Sequence, residues 1–222
     1  MLKAVIFDVD GTLVDSVKFH AQAWVKAFQE YGYDFPYEEI RQQIGKGGDY
    51  IMQDFISQEE FEQLGEKISQ YRKEYYQDSL LPKVEPFPQV KELFTRLRED
   101  GLRVVLASSG RKDSIAHYQK LLNIEDLIDN YTCGDDVEKS KPNPDIFTTA
   151  MEKLENIKPE EVIVVGDSPY DAQAAQKVPL RTVGVLCGGF SEEVLREAGC
   201  IAIYKDPDDI LAHYEQSPLY PA

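Results

Sequence analysis

The sequence predicts a doubly wound α/β fold, a parallel sheet with helices on both faces, interrupted after its first strand by an all-helical insert. Three observations carry this. Short apolar runs rich in β-branched residues recur along the chain, separated by stretches whose apolar residues repeat every three or four positions. Those runs are apolar at nearly every position, as strands buried on both faces are. Between about Ser16 and Leu81 the helical pattern continues but no such run occurs.

In chain order, Ala4 to Phe7 is the first strand. Val17, Ala21, Trp24, Val25, Phe28 and Tyr31 then form a helical stripe, with Asp15 or Ser16 as its N-cap. Shorter helical patterns lie around Tyr37 to Ile44, Asp49 to Ile56 and Glu59 to Tyr76. Pro82, Pro86 and Pro88 punctuate the return to the sheet. Val90, Leu93, Phe94 and Leu97 mark a helix ended by Gly101, and Ile146, Phe147, Ala150, Met151 and Leu154 mark another. The remaining strands are Arg103 to Ala107, Tyr131 to Cys133, Val162 to Val165, Arg181 to Val185 and Cys200 to Ile203. The expected division is a Rossmann-like core of residues 1–14 and 84–222 and a helical cap of residues 15–83, the size of a small bundle.

The 222 residues, 42% apolar and 29% charged, suffice for a core without disulfides or metal staples. With 24 Lys+Arg against 40 Asp+Glu, the net charge is −16. Such a surface repels phosphate backbones and anionic lipid, so neither nucleic acid nor membrane is expected as a partner, although a local positive pocket can still hold a small anion. No apolar run approaches the length of a membrane span, and Leu2 to Phe7 is too short for a signal peptide. Cys133, Cys187 and Cys200 are odd in number and widely spaced, which fits a reducing cytoplasm.

Four segments carry chemistry. The first strand runs into Asp8-Val9-Asp10-Gly11-Thr12, at the carboxyl end of a strand, where open α/β sheets bind ligands. If the strand persists, Asp8 and Asp10 point to one side. Alone, the segment reads better as a polar strand end followed by an Asp-Gly turn. Val164-Val165-Gly166-Asp167-Ser168-Pro169-Tyr170-Asp171 is a second strand end with two carboxylates, and capping by Asp167 or Ser168 with Pro169 at the first helical position accounts for part of it. Ala107-Ser108-Ser109-Gly110 ends a third strand in hydroxyls before a helix, an anion cradle or a plain serine cap. In Lys139-Ser140-Lys141-Pro142-Asn143-Pro144, Pro144 reads as the first helical residue with Asn143 as cap, and Lys141 read by itself is a solvated lysine. Together these segments place Asp8, Asp10, Asp167 and Asp171 at two strand ends. They would repel one another unless a divalent cation sat among them, and hard oxygen ligands favour Mg²⁺. A lysine and hydroxyls beside that metal make a phosphoryl-transfer site with a carboxylate nucleophile.

With these segments in this order, the chain resembles the haloacid dehalogenase superfamily over nearly its whole length. Asp8 to Thr12 resembles the first motif, Ser108 the second, Lys141 the third, and Gly166-Asp167 through Asp171 the fourth. The resemblance implies that Asp8 attacks phosphorus and that Asp10 acts as acid and then base. It implies that Ser108 and the Ser109 N–H hold phosphate oxygens, and that Lys141 neutralises Asp8 and the phosphoryl group. Mg²⁺ would be held by the Asp8 carboxylate, the Asp10 carbonyl and Asp167. Asp171 would act through water or by orienting Lys141. The presence of Asp10 argues against the dehalogenase branch. His20, Trp24 and Asp15-Ser16 resemble the β-phosphoglucomutase branch, yet that branch tends to carry Glu where this chain has Gly166, and a cap-loop Arg where this chain has Gly45-Lys46-Gly47-Gly48. The expected function is therefore a Mg²⁺-dependent phosphatase acting on a small phosphomonoester, a phosphoglycolate or sugar phosphate. A phosphosugar mutase is the alternative, and a non-catalytic phosphate-binding module a remote one. Lys46 and His20 are candidate substrate contacts, and Trp24 reads as cap core. A cap hinged near Leu13 to Asp15 and Lys83 to Pro86 is expected to open and close.

Overall fold

The computed structural model describes residues 1–221, and among them six parallel strands form one sheet in the order β3-β2-β1-β4-β5-β6. Along the chain, β1 (Ala4–Phe7) is followed by α1 (Val17–Glu30), α2 (Tyr37–Arg41), α3 (Gly48–Phe55) and α4 (Gln58–Tyr75). Then come α5 (Val90–Glu99), β2 (Arg103–Ala107), α6 (Lys112–Leu122), β3 (Asn130–Thr132), α7 (Asp145–Glu152) and β4 (Val162–Gly166). The chain closes with α8 (Pro169–Gln176), β5 (Arg181–Val185), α9 (Glu192–Glu197), β6 (Ala202–Tyr204) and α10 (Pro207–Ala212). Contacts divide it into two compact units, Met1–Asp15 with Pro86–Ala222, and Ser16–Glu85.

In the first unit, one face of the sheet buries Ala4, Ile6, Val105, Ala107, Val162 and Val164 against Ile146, Phe147, Ala150 and Leu154 of the α7 region and Ala174 and Ala175 of α8. Phe7 stacks obliquely on Phe94 of α5, with ring centroids 4.7 Å apart. Helices therefore cover apolar strands on both faces, which is why the strands read as unbroken apolar runs. β1 lies between β2 and β4, in register Phe7 with Leu106 and Phe7 with Val165. The strand order reverses beside β1, and ligands in such sheets bind at the carboxyl ends flanking that reversal.

The second unit is helical throughout its regular structure. Trp24, Phe28, Ile40, Ile51, Met52, Ile56 and Ile68 form its core. Ser57 caps α4 reciprocally with Glu60, donating its hydroxyl to Oε2 while the Glu60 N–H points back to it. Among the described residues no helix is long and apolar enough to cross a membrane.

Several expected boundaries shift for local reasons. β6 begins at Ala202 rather than Cys200, because α9 ends in a reversed turn: Gly199 lies at φ +98° and the Cys200 N–H returns to the Leu195 carbonyl. Cys200 consequently packs on Leu195 as the terminal contact of the helix. β3 starts one residue early, at Asn130. Ser16 occupies the N-cap position of α1 but makes no side-chain capping bond. α7 begins at Asp145 with Pro144 as its cap residue, since Asn143 is used in a turn closed on the Ser140 carbonyl. α6 starts only at Lys112, whose N–H is accepted by Asp135 from the loop after β3.

Candidate active site

β1 ends at Phe7, so strand alternation does not set the directions of Asp8 and Asp10; the turn that follows does. The Asp8 N–H extends the ladder to the Val165 carbonyl (2.9 Å), fixing Asp8 beside the end of β4. The chain then folds back: the Thr12 and Leu13 N–H groups both reach the Val9 carbonyl, and the Gly11 N–H reaches Val14. This returns the Thr12 hydroxyl to 3.1 Å from Asp8 Oδ2 and 3.2 Å from Asp167 Oδ1.

Asp167 follows β4. Asp171 lies in the first turn of α8, where its Oδ2 accepts from the Ser168 N–H (3.1 Å) and hydroxyl (2.6 Å). Ser168 therefore caps the helix with Pro169 at its first position, and Asp171 closes the capping box. Lys141, only 1% exposed, is the opposite of a solvated lysine. Its Nζ stands 2.5 Å from Asp8 Oδ1, 2.7 Å from Asp171 Oδ1 and 3.0 Å from the Ala107 carbonyl. Its two carboxylates and one carbonyl occupy the directions in which an ammonium donates. It holds the carboxylates in place, and Asp171 in turn orients it.

Asp8, Asp167 and Asp171 are all buried and present oxygens within 4.8 Å of one another. One lysine does not offset three buried carboxylates. Burial pushes Asp8 up to about 7; Lys141 opposes the rise, while Asp171 and Asp10 add to it. Asp167 is held well above the ordinary carboxylate range by burial, Asp8 and Asp171. Burial acts to lower Lys141, but Asp171 and Asp8 outweigh it and hold the ammonium above its ordinary value. Excess negative charge on hard oxygens is what a small divalent cation satisfies, so the residues fit Mg²⁺. Asp8 has a folded pKa of about 7 against an ordinary 3.8, so its contribution to stability is complete below the lower value and is lost as pH rises through the higher one. Melting of the metal-free protein is expected to fall between pH 6 and pH 8, and Mg²⁺ to restore more at pH 8. A melting temperature at pH 8 that ignores Mg²⁺ would contradict this.

Asp10 stands apart from the three-carboxylate group. Its Oδ2 accepts from the Ser108 hydroxyl at 3.3 Å, and the Gly110 N–H donates to that hydroxyl oxygen at 2.9 Å. The Ser108-Ser109-Gly110 loop is backed by the loop after β3, where the Gly134 N–H donates to the Gly110 carbonyl and a Cβ on Gly134 would fall 2.6 Å from the Ser109 carbonyl oxygen. Ser108 and Ser109 are therefore presented by the loop before α6 rather than by its first turn, and Ser108 meets Asp10 from the turn after β1.

The loop after β5 also belongs to the site, although no motif in the sequence marks it. The Cys187 thiol donates to the Gly11 carbonyl at 3.2 Å. A Cβ on Gly188 would lie 1.7 Å from Asp167 Oδ2, so only glycine lets that backbone approach the carboxylate. The available signal was the Gly188-Gly189 pair, separated by two residues from the end of an apolar strand, at the same carboxyl ends of the strands as the other segments. Gly188→Ala is expected to displace Asp167 and weaken Mg²⁺ binding about tenfold or more, read by calorimetry. Unchanged affinity would place Asp167 outside the metal site.

The other two candidates lie in the helical unit. Lys46 is ion-paired to Asp54 at 2.6 Å. His20 is buried, its ring stacked on Tyr76 at 4.1 Å, and its Nδ1 lies 2.6 Å from Nη2 of Arg72. Guanidinium only donates, so Nδ1 accepts. Arg72 also lies 5.3 Å from the rings of Trp24 and Tyr76. Nothing in the local sequence marked Arg72, one of several charged residues on α4. Trp24 is core, as its stripe predicts.

The chain belongs to the haloacid dehalogenase-like hydrolase family, whose model matches residues 5–185. It is thus an enzyme of a hydrolase family. It is 27% identical over 215 residues to a phosphorylated carbohydrates phosphatase of Thermotoga maritima, covering 95% of this chain and 97% of that one. It is 29% identical over 225 residues to a phosphoglycolate phosphatase of Yersinia pestis, covering 100% and 93%. The crystal structure of a hydrolase from Pseudomonas syringae superposes with a TM-score of 0.84 at 31% identity, covering 96% of this chain and 98% of that one.

Proposed function

We propose that the protein is a Mg²⁺-dependent phosphatase that hydrolyses a small phosphomonoester by way of a phosphoryl group carried on Asp8. The observation that carries this reading is the buried Asp8–Lys141–Asp171 chain beside Asp167, at the carboxyl ends of the central strands next to the reversal of strand order. Membership of the family and relatives named as phosphatases support it.

The Asp8 and Asp167 carboxylates and the Asp10 carbonyl are the groups assigned to Mg²⁺, which when bound offsets the charge of the phosphoryl oxygens. Asp8 attacks phosphorus as the ester P–O bond breaks, and Asp10 gives its proton to the departing alkoxide oxygen. Asp10 then takes a proton from water, which attacks phosphorus, releases inorganic phosphate and returns Asp8 as a carboxylate. The Ser108 hydroxyl and the Ser109 N–H hold phosphoryl oxygens. Lys141 keeps Asp8 oriented and partly neutralised. Lys46 and His20 are assigned to recognition of the alcohol part, with phosphoglycolate or sugar phosphates as the substrate class. A cytoplasmic setting fits three free cysteines.

Water rather than a sugar hydroxyl is the assigned acceptor. A Cβ on Gly166 would lie 2.6 Å from Asp171 Cγ. A mutase-like glutamate there would displace Asp171 and release Lys141. The test is phosphate release from para-nitrophenyl phosphate with Mg²⁺ and with chelator, followed by a panel of phosphometabolites that includes β-glucose 1-phosphate. Metal-dependent phosphate release is expected. Conversion of β-glucose 1-phosphate to glucose 6-phosphate as the main reaction would overturn the hydrolase reading, and no turnover of any phosphomonoester would overturn both.

A further inference from the structure

Thr12 has no assigned part in the chemistry above, yet it is fully buried at the centre of the site. Its hydroxyl stands 3.1 Å from Asp8 Oδ2 and 3.2 Å from Asp167 Oδ1, side chains 155 positions apart in the latter case. Lys141 grips the other oxygen of Asp8. A carboxylate's last torsion is soft, so one donor leaves it free to swing, whereas different donors on its two oxygens fix its plane. We propose that Thr12 is a positioning residue whose hydroxyl sets the rotation of the Asp8 carboxylate and ties it to Asp167. The proposal rests on the phosphatase reading.

The position of this hydroxyl is itself fixed. Thr12 is β-branched, with a stiff first torsion, and its backbone is pinned by its N–H to the Val9 carbonyl at 3.2 Å. A hydroxyl has one proton, so Thr12 donates to Asp8 or to Asp167 at any moment. The carboxylate it does not serve still needs positive charge nearby. Thr12 thus holds two acceptors at a spacing that it cannot satisfy alone, which prepares them for a shared cation. A methyl in place of the hydroxyl would keep the volume and lose both contacts.

The test compares Thr12→Val and Thr12→Ser with the unmodified protein. It reads Mg²⁺ affinity by calorimetry without substrate, and kcat and KM for para-nitrophenyl phosphate with Mg²⁺ saturating. Thr12→Val is expected to lower Mg²⁺ affinity about tenfold and kcat about 10- to 100-fold, with KM changed less than about threefold. Thr12→Ser, which restores the hydroxyl, recovers most of both losses. If Thr12→Val does not fold, Thr12→Ala, which leaves space in place of the hydroxyl, takes its place. Hydroxyl-free variants within about twofold of the unmodified protein on both readouts would overturn the proposal. So would a serine variant as impaired as valine, since the residue would then matter for shape alone. An unmodified protein that binds no Mg²⁺ and releases no phosphate overturns the phosphatase reading as well, whereas one that does both beside an unaffected valine variant overturns only the role of Thr12.

Discussion

Asp8→Asn is expected to lower metal-dependent phosphate release by about 10⁴-fold or more while the protein stays folded, because it replaces the carboxylate proposed to attack phosphorus and changes almost no volume. The amide oxygen can still accept from Lys141, so that contact survives in weakened form. Burial already works against the charge of Asp8, and the substitution removes one of three closely spaced carboxylates. The metal-free variant should therefore melt no lower than the parent, and above pH 7 should melt higher. Its gain in melting temperature on adding Mg²⁺ should shrink, because one of the assigned metal oxygens has gone. Phosphate release, circular dichroism and thermal melts with and without Mg²⁺ test all three points. A folded variant that keeps more than about a tenth of the activity would mean that phosphorus is attacked by water directly, and Asp8 would lose its assignment.

Lys141→Met is expected to damage stability and turnover together. Methionine matches the apolar stem of lysine and removes its ammonium, leaving Asp8, Asp167 and Asp171 buried without that cation. Breaking a buried ion pair from one side costs about 3–5 kcal/mol. The loss should be largest near pH 8 and shrink toward pH 5, since carboxylates deprived of Lys141 take up protons more readily as pH falls. Turnover should drop about 10²- to 10³-fold, as when a preorganised positive group is removed from a site where negative charge gathers. Urea unfolding at pH 5 and pH 8, paired with phosphate release, gives the comparison. Parental stability at pH 8 would show that the three carboxylates are solvated in solution, and the account of Lys141 as their counter-charge would fail. Mg²⁺ should recover part of the lost stability, since it supplies charge to the same cluster.

Such variants reach a site whose parts differ in how far the chain announced them. Local pattern marked the strands, because a segment buried on both faces must be apolar throughout, and Ala4–Phe7, Arg103–Ala107 and Arg181–Val185 begin and end where that pattern does. It marked Asp8, Asp10, Ser108 and Asp167, because each stands where an apolar run stops. Ser168 and Asp171 followed from the short-range chemistry of a helix start. Boundaries slipped where a turn outbid the pattern, as at Cys200, which completes a helix before any strand begins. Lys141 could be singled out by its company but not located by itself. It is 133 residues from Asp8, and a lysine before a proline has no local cause to be buried. Sheet order decided its place, setting β1 between β2 and β4 so that the ends of three strands face one lysine. The same holds for Thr12 between Asp8 and Asp167 and for Gly188 against Asp167, whereas the packing of α4 on α1 brings Arg72 to His20. Periodicity and capping are interactions between near neighbours in the chain, so the sequence by itself determined the elements and the carboxylate-bearing ends. Contacts between segments distant in the chain exist only once register and strand order are set, so tertiary structure alone decided which group holds which.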